Sequence, residues 1–170
     1  MAPLVRRSWH PRGRTPLLYH RTNSHKKVSA IAALCVSPAR DRVRLYFRLH
    51  PDKNINSCLV IDFLRNLNRQ LEGPIVLIWD RLLSHRARVV QAFIRENPNL
   101  HVFYLPPYAP ELNSVENVWA YLKMNPLANL PLFDLSSLST AARGHARSIQ
   151  RKQWLLRSFI KHSPLTLHLN

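Results

Sequence analysis

Two carboxylate side chains, those of Asp80 and Glu116, stand at positions where they could act together. Asp80 directly follows the apolar run IVLIW at 75–79, and Glu116 lies in the first turn of a helix predicted from Asn113. In sheets that alternate with helices, reactive groups gather beyond the carboxyl ends of the strands. The segment between the two acids is long enough for a helix, a strand and a loop, so the chain can bring both acids together.

A converging pair of carboxylates in a basic protein predicts a divalent cation. Mg²⁺ is a hard cation that takes carboxylate oxygens and phosphates as ligands. Two such ions activate the attacking oxygen and stabilise the leaving oxygen when a phosphoryl group is transferred. Asp80 and Glu116 are therefore the candidate catalytic residues and the candidate Mg²⁺ ligands.

Both acids also have a purely structural interpretation. An Asp at a strand end often only starts a turn. Asn113 and Glu116 have the spacing of a capping box, and a Glu in the first turn of a helix also complements the helix dipole. Glu111 competes with Glu116 for the same role, but it precedes the helix and has no fixed direction. The spacing alone leaves these alternatives open.

The distribution of charge predicts a polyanionic partner. The chain has 25 Lys and Arg against 9 Asp and Glu, a formal net charge of +16. All of the acids fall between Asp41 and Asp134, so both ends of the chain carry cations that no acid opposes. Neutralising phosphates releases counterions and favours binding to nucleic acid. A membrane surface is a weaker alternative, because neither end forms an isolated basic amphipathic helix.

Composition excludes several other classes of protein. A hydrophobic share of 46% excludes a disordered basic tail, which lacks the apolar surface to offset its ordering entropy. No apolar run approaches the roughly 18 residues that a membrane span needs, so no membrane partner is expected. The two cysteines are too few for a disulfide framework or a zinc site, which favours a cytoplasmic location.

Hydrophobic periodicity and turn residues predict one mixed α/β domain over residues 1–170. Two strands at 28–36 and 43–49 form a hairpin, and a buried strand at 75–79 and another at 100–105 form a parallel strand–helix–strand unit. Helices are predicted at 54–71, at 84–96, from 113 to about 126 and across about 138–162. The order is β-β-α-β-α-β-α-α.

Five basic residues are candidates for contact with nucleic acid. On the predicted last helix Arg143, Arg147, Arg151 and Lys161 share a face, with Trp154 between them. That face could be only solvated, but the lack of acids among these residues favours a contact with the DNA backbone. His85, five residues after Asp80, could contact phosphate or orient a metal ligand, or it could be a surface histidine at a helix start.

Two motifs resemble the catalytic core of a known family. The stretch LPPYAPELNSVENVWAYLK at 105–123, with IVLIWDRLLSHRA at 75–87, resembles the DDE transposases of bacterial insertion sequences in the Tc/mariner-like superfamily, the DDE superfamily endonucleases. Segment 3–16 looks like the arginine-rich strand and loop of that family. The resemblance implies a ribonuclease-H-like fold, a mixed sheet flanked by helices. It also implies Mg²⁺ or Mn²⁺ as cofactor and cut-and-paste movement of DNA, with Asp80 as the second catalytic acid and Glu116 as the third.

The sequence departs from the family pattern at three places. Arg81 and Leu82 follow the second acid where the family usually has Asn-Ala or Gly-x, and Asn113-Ser114 replaces the common Asn-Pro. The family carries its first Asp on an opening strand upstream of the segment that resembles 3–16, and this sequence begins after that point. We therefore expect an amino-terminally truncated catalytic domain that lacks the first strand and the DNA-reading helix-turn-helix, and that is inactive as an isolated chain.

The sequence supports two functions from different classes. The first is a transposase catalytic domain whose partners are transposon ends and target DNA, with a homodimer as an assembly to test. The alternative is a non-catalytic basic nucleic-acid-binding protein, in which Asp80 and Glu116 are both structural.

Overall fold

The structure, a computed structural model, describes residues 27–125, 127–128, 135–165 and 167–170, together with Arg12. The predicted strand and loop of segment 3–16 therefore lie outside the described residues, apart from Arg12. In chain order the elements are β1 (Val28–Val36), β2 (Val43–Pro51), α1 (Ser57–Gln70), β3 (Ile75–Trp79), α2 (Arg88–Arg95), β4 (Leu100–Tyr104), a 3₁₀ turn (Pro110–Leu112), α3 (Ser114–Met124), α4 (Leu135–Gln150) and α5 (Gln153–Lys161). The predicted order is confirmed as far as α3.

The first two strands form the predicted antiparallel hairpin. Val28 lies opposite Pro51 and Val36 opposite Val43. One face of this hairpin packs with α3, α4 and α5 in a core that buries Val43 and Leu45. The other face packs with α1, β3 and β4 in a second core. The hairpin is therefore an inner layer with helices on both sides.

The third and fourth strands form the predicted parallel pair, with Ile75 opposite Leu100 and Trp79 opposite Tyr104. The prediction of a buried strand at 75–79 holds for only one face of β3. Trp79 is buried, but the side chains of Val76 and Ile78 are 63% and 53% exposed. Residues of α1 and α2 pack against one face of this pair, and no described element covers the other.

The prediction of a single helix across 138–162 is wrong. The structure has two helices there, α4 and α5, with a break at Arg151 and Lys152. Side chains on either side of the break bond to the backbone of β2. The amide of Gln150 donates to the carbonyl of Leu45 at 2.7 Å. Gln153 donates to the carbonyl of Val43 at 2.7 Å and accepts from its N–H at 3.1 Å. These bonds satisfy backbone N–H and carbonyl groups of β2 that form no hydrogen bond to another strand. The chain turns between Gln150 and Gln153.

The predicted helix at 84–96 begins only at Arg88, as α2. Its first part is a turn, in which the N–H groups of His85 and Arg86 donate to the carbonyl of Leu82. The Asp80 side chain accepts from the N–H of Leu82 and fixes this turn to the end of β3. No helix in the part of the chain described here is long and apolar enough to cross a membrane.

Shortening a buried side chain of α3 should destabilise the fold. Leu122 is 1% exposed and belongs to the core between the hairpin and α3–α5. We expect Leu122→Ala to lower the free energy of unfolding by about 2–5 kcal/mol, because the neighbours only partly fill the cavity. Urea denaturation followed by circular dichroism measures this loss. The control is Leu83→Ala, whose side chain is 84% exposed, and which should change stability by less than about 0.5 kcal/mol. Equal losses in both variants would contradict the assigned core.

Candidate active site

Asp80 lies at the carboxyl end of β3, and its Oδ1 is already engaged. Oδ1 accepts from the backbone N–H of Leu82 at 3.0 Å and lies 2.8 Å from Nδ1 of His85. The hydrogen bond from His85 holds the pKa of Asp80 below its ordinary value, and the N–H of Leu82 adds to this. Both contacts fall on Oδ1, so Oδ2 is the oxygen that can bind a cation. The turn-forming and metal-binding interpretations of Asp80 are compatible.

His85 is held rigidly beside Asp80. Its ring stacks on the indole of Trp79 with a centroid distance of 4.3 Å and an interplanar angle of 5°. Its side chain is only 14% exposed, and its carbonyl accepts from the amide of Gln91 at 3.0 Å. Of the roles predicted for His85, this geometry favours orientation of a metal ligand. Contact with phosphate stays a prediction.

Glu116 lies in the first turn of α3, and the capping interactions of that helix do not use its carboxylate. Asn113 caps α3, because its Oδ1 accepts from the N–H of Val115 at 3.2 Å. The N–H of Asn113 donates to the carbonyl of Pro110 at 3.0 Å. A capping box would direct that N–H to the Glu116 side chain. The capping-box interpretation is therefore wrong, while the favourable position near the helix dipole remains.

The structure brings Asp80 and Glu116 into the same electrostatic neighbourhood. Desolvation raises the pKa of Glu116; Lys123 opposes this shift and the charge of Asp80 adds to it. Carboxylate oxygens are donors that a hard divalent cation prefers. Within the described ranges, however, no group of three His, Cys, Asp or Glu side chains converges to hold a metal ion. Glu111, the competing acid, lies in the 3₁₀ turn before α3.

The predicted basic residues form a row on α4 that does not continue onto α5. Arg143 and Arg147 are exposed on α4, opposite the buried Ala142 and Ala146, and Arg151 follows in the turn that ends the helix. The break in the predicted helix places Lys161 on α5, so the expected single face of four cations is wrong. No ion pair involves any of these four in the part of the chain that the structure describes.

A second group of side chains near Asp80 was missed by sequence reasoning. Arg81, Arg86, Gln91 and Tyr104 line a cavity of about 300 Å³. Arg81 drew attention only as a departure from the family pattern. The available signal was one arginine directly after Asp80 and another directly after His85, but the contribution of Tyr104 depends on the packing of β4 against α2.

This is a strongly basic mixed α/β domain with one acid directly after β3 and another in the first turn of α3, an arrangement typical of domains that transfer phosphoryl groups in nucleic acids. Residues 2–139 match the model of the DDE superfamily endonucleases, and the chain belongs to that family. This confirms the resemblance seen in the sequence.

Two curated proteins are similar to parts of this chain. The insertion element IS630 uncharacterized 39 kDa protein of Shigella sonnei is 36% identical over 69 residues, which cover 39% of this chain and 20% of that protein. The uncharacterized protein y4pE/y4sA of Sinorhizobium fredii (strain NBRC 101917 / NGR234) is 33% identical over 83 residues, 49% of this chain and 58% of that protein. The matches thus span less than two thirds of either relative.

Solved structures of Mos1 transposase share the fold. A paired-end complex with the left transposon end matches 96% of this chain and 48% of its own, with a TM-score of 0.68 at 22% identity. The Mos1 catalytic domain matches 81% of this chain and 76% of its own, with a TM-score of 0.56 at 17% identity. These likenesses confirm the predicted ribonuclease-H-like fold.

Proposed function

We propose that this chain is the catalytic domain of a DNA transposase that acts by metal-dependent cleavage of phosphodiester bonds and strand transfer. The observation that carries this proposal is the family match over residues 2–139, which includes both Asp80 and Glu116. Asp80 directly follows β3 and Glu116 lies in the first turn of α3. The charge of Asp80 also contributes to the raised pKa of Glu116, which supports a place for catalysis in addition to a basic surface.

Within this proposal, Asp80 and Glu116 hold Mg²⁺ or Mn²⁺. The bound ions supply activation of the attacking oxygen and stabilisation of the leaving oxygen. His85 fixes the direction of the Asp80 carboxylate through its contact with Oδ1, as partners of metal ligands commonly do. Mn²⁺ occurs in a solved paired-end complex of Mos1, and both ions suit carboxylate donors.

The proposed partners are transposon ends and target DNA. Solved Mos1 structures similar in fold include a paired-end complex and a strand transfer complex. The net charge of +16 supports binding to a polyanion. A homodimer is the assembly to test. Cys35 and Cys58 are free thiols, which supports the proposed location in the cytoplasm.

A non-catalytic nucleic-acid-binding protein is the second candidate function. One observation favours it: among the described residues, no group of three His, Cys, Asp or Glu side chains could hold a metal ion. Both candidates require DNA binding, and only the catalytic one requires a cation between Asp80 and Glu116.

We expect this chain to bind duplex DNA with little sequence preference and a steep dependence on salt. Each phosphate contact contributes about −0.9 to the slope of log affinity against log salt. Replacing Arg143, Arg147 and Arg151 together by Gln should lower that slope by up to about 3 and weaken binding uniformly across sequences. Fluorescence anisotropy across a salt series measures both quantities.

The matched control replaces Arg65, Arg69 and Arg95 by Gln, which removes the same charge from α1 and α2. Equal effects of the two triple variants would show that net charge, and not the row on α4, governs binding. Binding that does not change between low and physiological salt would contradict the DNA partner itself.

A further inference from the structure

The cavity of about 300 Å³ lies in the same loop region as Asp80. Arg81 directly follows Asp80, and both Gln91 and Tyr104 contact the carbonyl of His85, the residue that holds the Asp80 carboxylate. Tyr104 ends β4, from which the chain runs towards α3 and Glu116. A ligand in this cavity would therefore lie against the elements that position the two carboxylates.

Hydrogen bonds fix the walls of the cavity. Nε2 of Gln91 donates to the Tyr104 hydroxyl at 2.7 Å and to the carbonyl of His85 at 3.0 Å. Both of its hydrogens are thus used, which holds the Gln91 side chain in one orientation. Nε of Arg81 donates to the carbonyl of Leu105 at 3.0 Å, and its Cζ lies 6.0 Å from the centre of the Tyr104 ring. Because this hydrogen bond uses only Nε, the two terminal nitrogens of the Arg81 guanidinium can bind a ligand.

The two arginines bring charge to the cavity that no nearby acid neutralises. In the part of the chain that the structure describes, no carboxylate lies within 4.0 Å of Arg81 or Arg86. Arg65, by contrast, pairs with Asp62 at 2.9 Å. A guanidinium presents its donors as a planar fork that matches two oxygens of a phosphate. The chemistry of the cavity is therefore that of a phosphate site, and its volume is at the small end of ligand pockets, which start at roughly 300 Å³.

We propose that this cavity binds a phosphodiester of the DNA strand next to the bond that is cut, with Arg81 and Arg86 as positioning residues. The inference rests on the proposed function for the identity of the strand. Arg81 stands where the family usually has Asn, so the pattern that resembles the family does not supply this feature. Because Arg81 directly follows Asp80 in the chain, a phosphate bound at Arg81 would help to position the adjoining part of the strand relative to Asp80. Such positioning matters, because a displacement of about 1 Å can cost around 10²-fold in rate.

The test measures binding of a short single-stranded oligodeoxynucleotide by fluorescence anisotropy in EDTA. The variant Arg81→Gln/Arg86→Gln should bind about tenfold more weakly than the unmodified chain, and its salt slope should fall by about 1–1.5. The control Arg69→Gln/Arg95→Gln removes the same charge outside the cavity and should lose less than about threefold. Arg86→Gln alone is the second variant, because the Arg86 side chain is exposed and its replacement should leave the fold intact.

Inorganic phosphate is the competing probe. If free phosphate displaces the oligonucleotide from the unmodified chain more effectively than from the double variant, the cavity is a phosphate site used by DNA. If phosphate binds but oligonucleotide affinity is equal in the double variant and its control, the cavity holds a free anion and the proposal is overturned. Unchanged binding of both probes also overturns it. EDTA removes any dependence on a metal or on cleavage, so failure of the catalytic proposal leaves this readout intact.

Discussion

Asp80→Asn should abolish saturable binding of Mn²⁺ by this chain, whereas Asp62→Asn should leave it unchanged. Asp80 is one of the two proposed carboxylate ligands, and Asn removes its charge. The amide oxygen of Asn can still accept the N–H of Leu82, so the turn after β3 is retained. Binding by the unmodified chain should be weak, since two carboxylates offer few of the oxygen ligands that such an ion takes. Electron paramagnetic resonance of free Mn²⁺ during a titration measures the bound fraction.

Asp62 is the matched control because it undergoes the same chemical change at a site with a known structural partner. It lies on the exposed face of α1 and pairs with Arg65 at 2.9 Å. If Asp80→Asn and Asp62→Asn titrate alike, Asp80 and Glu116 do not form a metal site. That result would favour the non-catalytic DNA-binding function, in which Asp80 only forms its turn.

The positions of the two acids were predictable because local signals specify them. The apolar run before Asp80 and the Asn113 cap before Glu116 mark the end of a strand and the start of a helix. Both signals act over a few residues, and the parallel pairing of β3 with β4 follows from the intervening helix. The order of elements also predicts that the two acids converge, and their shared binding of a cation stays a prediction.

The break between α4 and α5 was not predictable from local pattern. The apolar stripe continues through it, since Ile149, Leu156 and Phe159 are all buried. What favours the break is the bonding of Gln150 and Gln153 to the backbone of β2, more than 100 residues earlier in the chain. Glutamines in a helical stretch give no sign of such distant partners. The Arg81–Tyr104 cavity was missed for the same reason, because its walls come from separate elements.

The isolated 170-residue chain should show no Glu116-dependent nicking of supercoiled DNA with Mg²⁺ or Mn²⁺. The family resemblance implies three catalytic acids, and the sequence motifs match two of them, Asp80 and Glu116. Among the described residues, no third acid joins them in a metal-binding group. Asp41 bonds the Ser37 hydroxyl in the hairpin turn, and Asp62 pairs with Arg65 on α1. Agarose gel electrophoresis of plasmid incubated with the chain measures nicking, and Glu116→Gln provides the background.

The expected inactivity depends on the number of acids that fix the metal ions, which among the described residues is at most two. A two-ion site must hold the attacking and leaving oxygens in line, which requires both ions to be fixed by the protein. With two carboxylates the ions and the strand are poorly positioned, and loss of alignment by about 1 Å costs around 10²-fold in rate. Asp52, which follows β2 in the left-handed conformation with φ 52°, does not supply the third ligand, because it belongs to no cluster with Asp80 and Glu116.

Nicking by the unmodified chain that is lost in Glu116→Gln would show that two acids suffice. That result would overturn the expected inactivity and strengthen the catalytic function. DNA binding without nicking, combined with weak Mn²⁺ binding that needs Asp80, is the outcome that this geometry predicts.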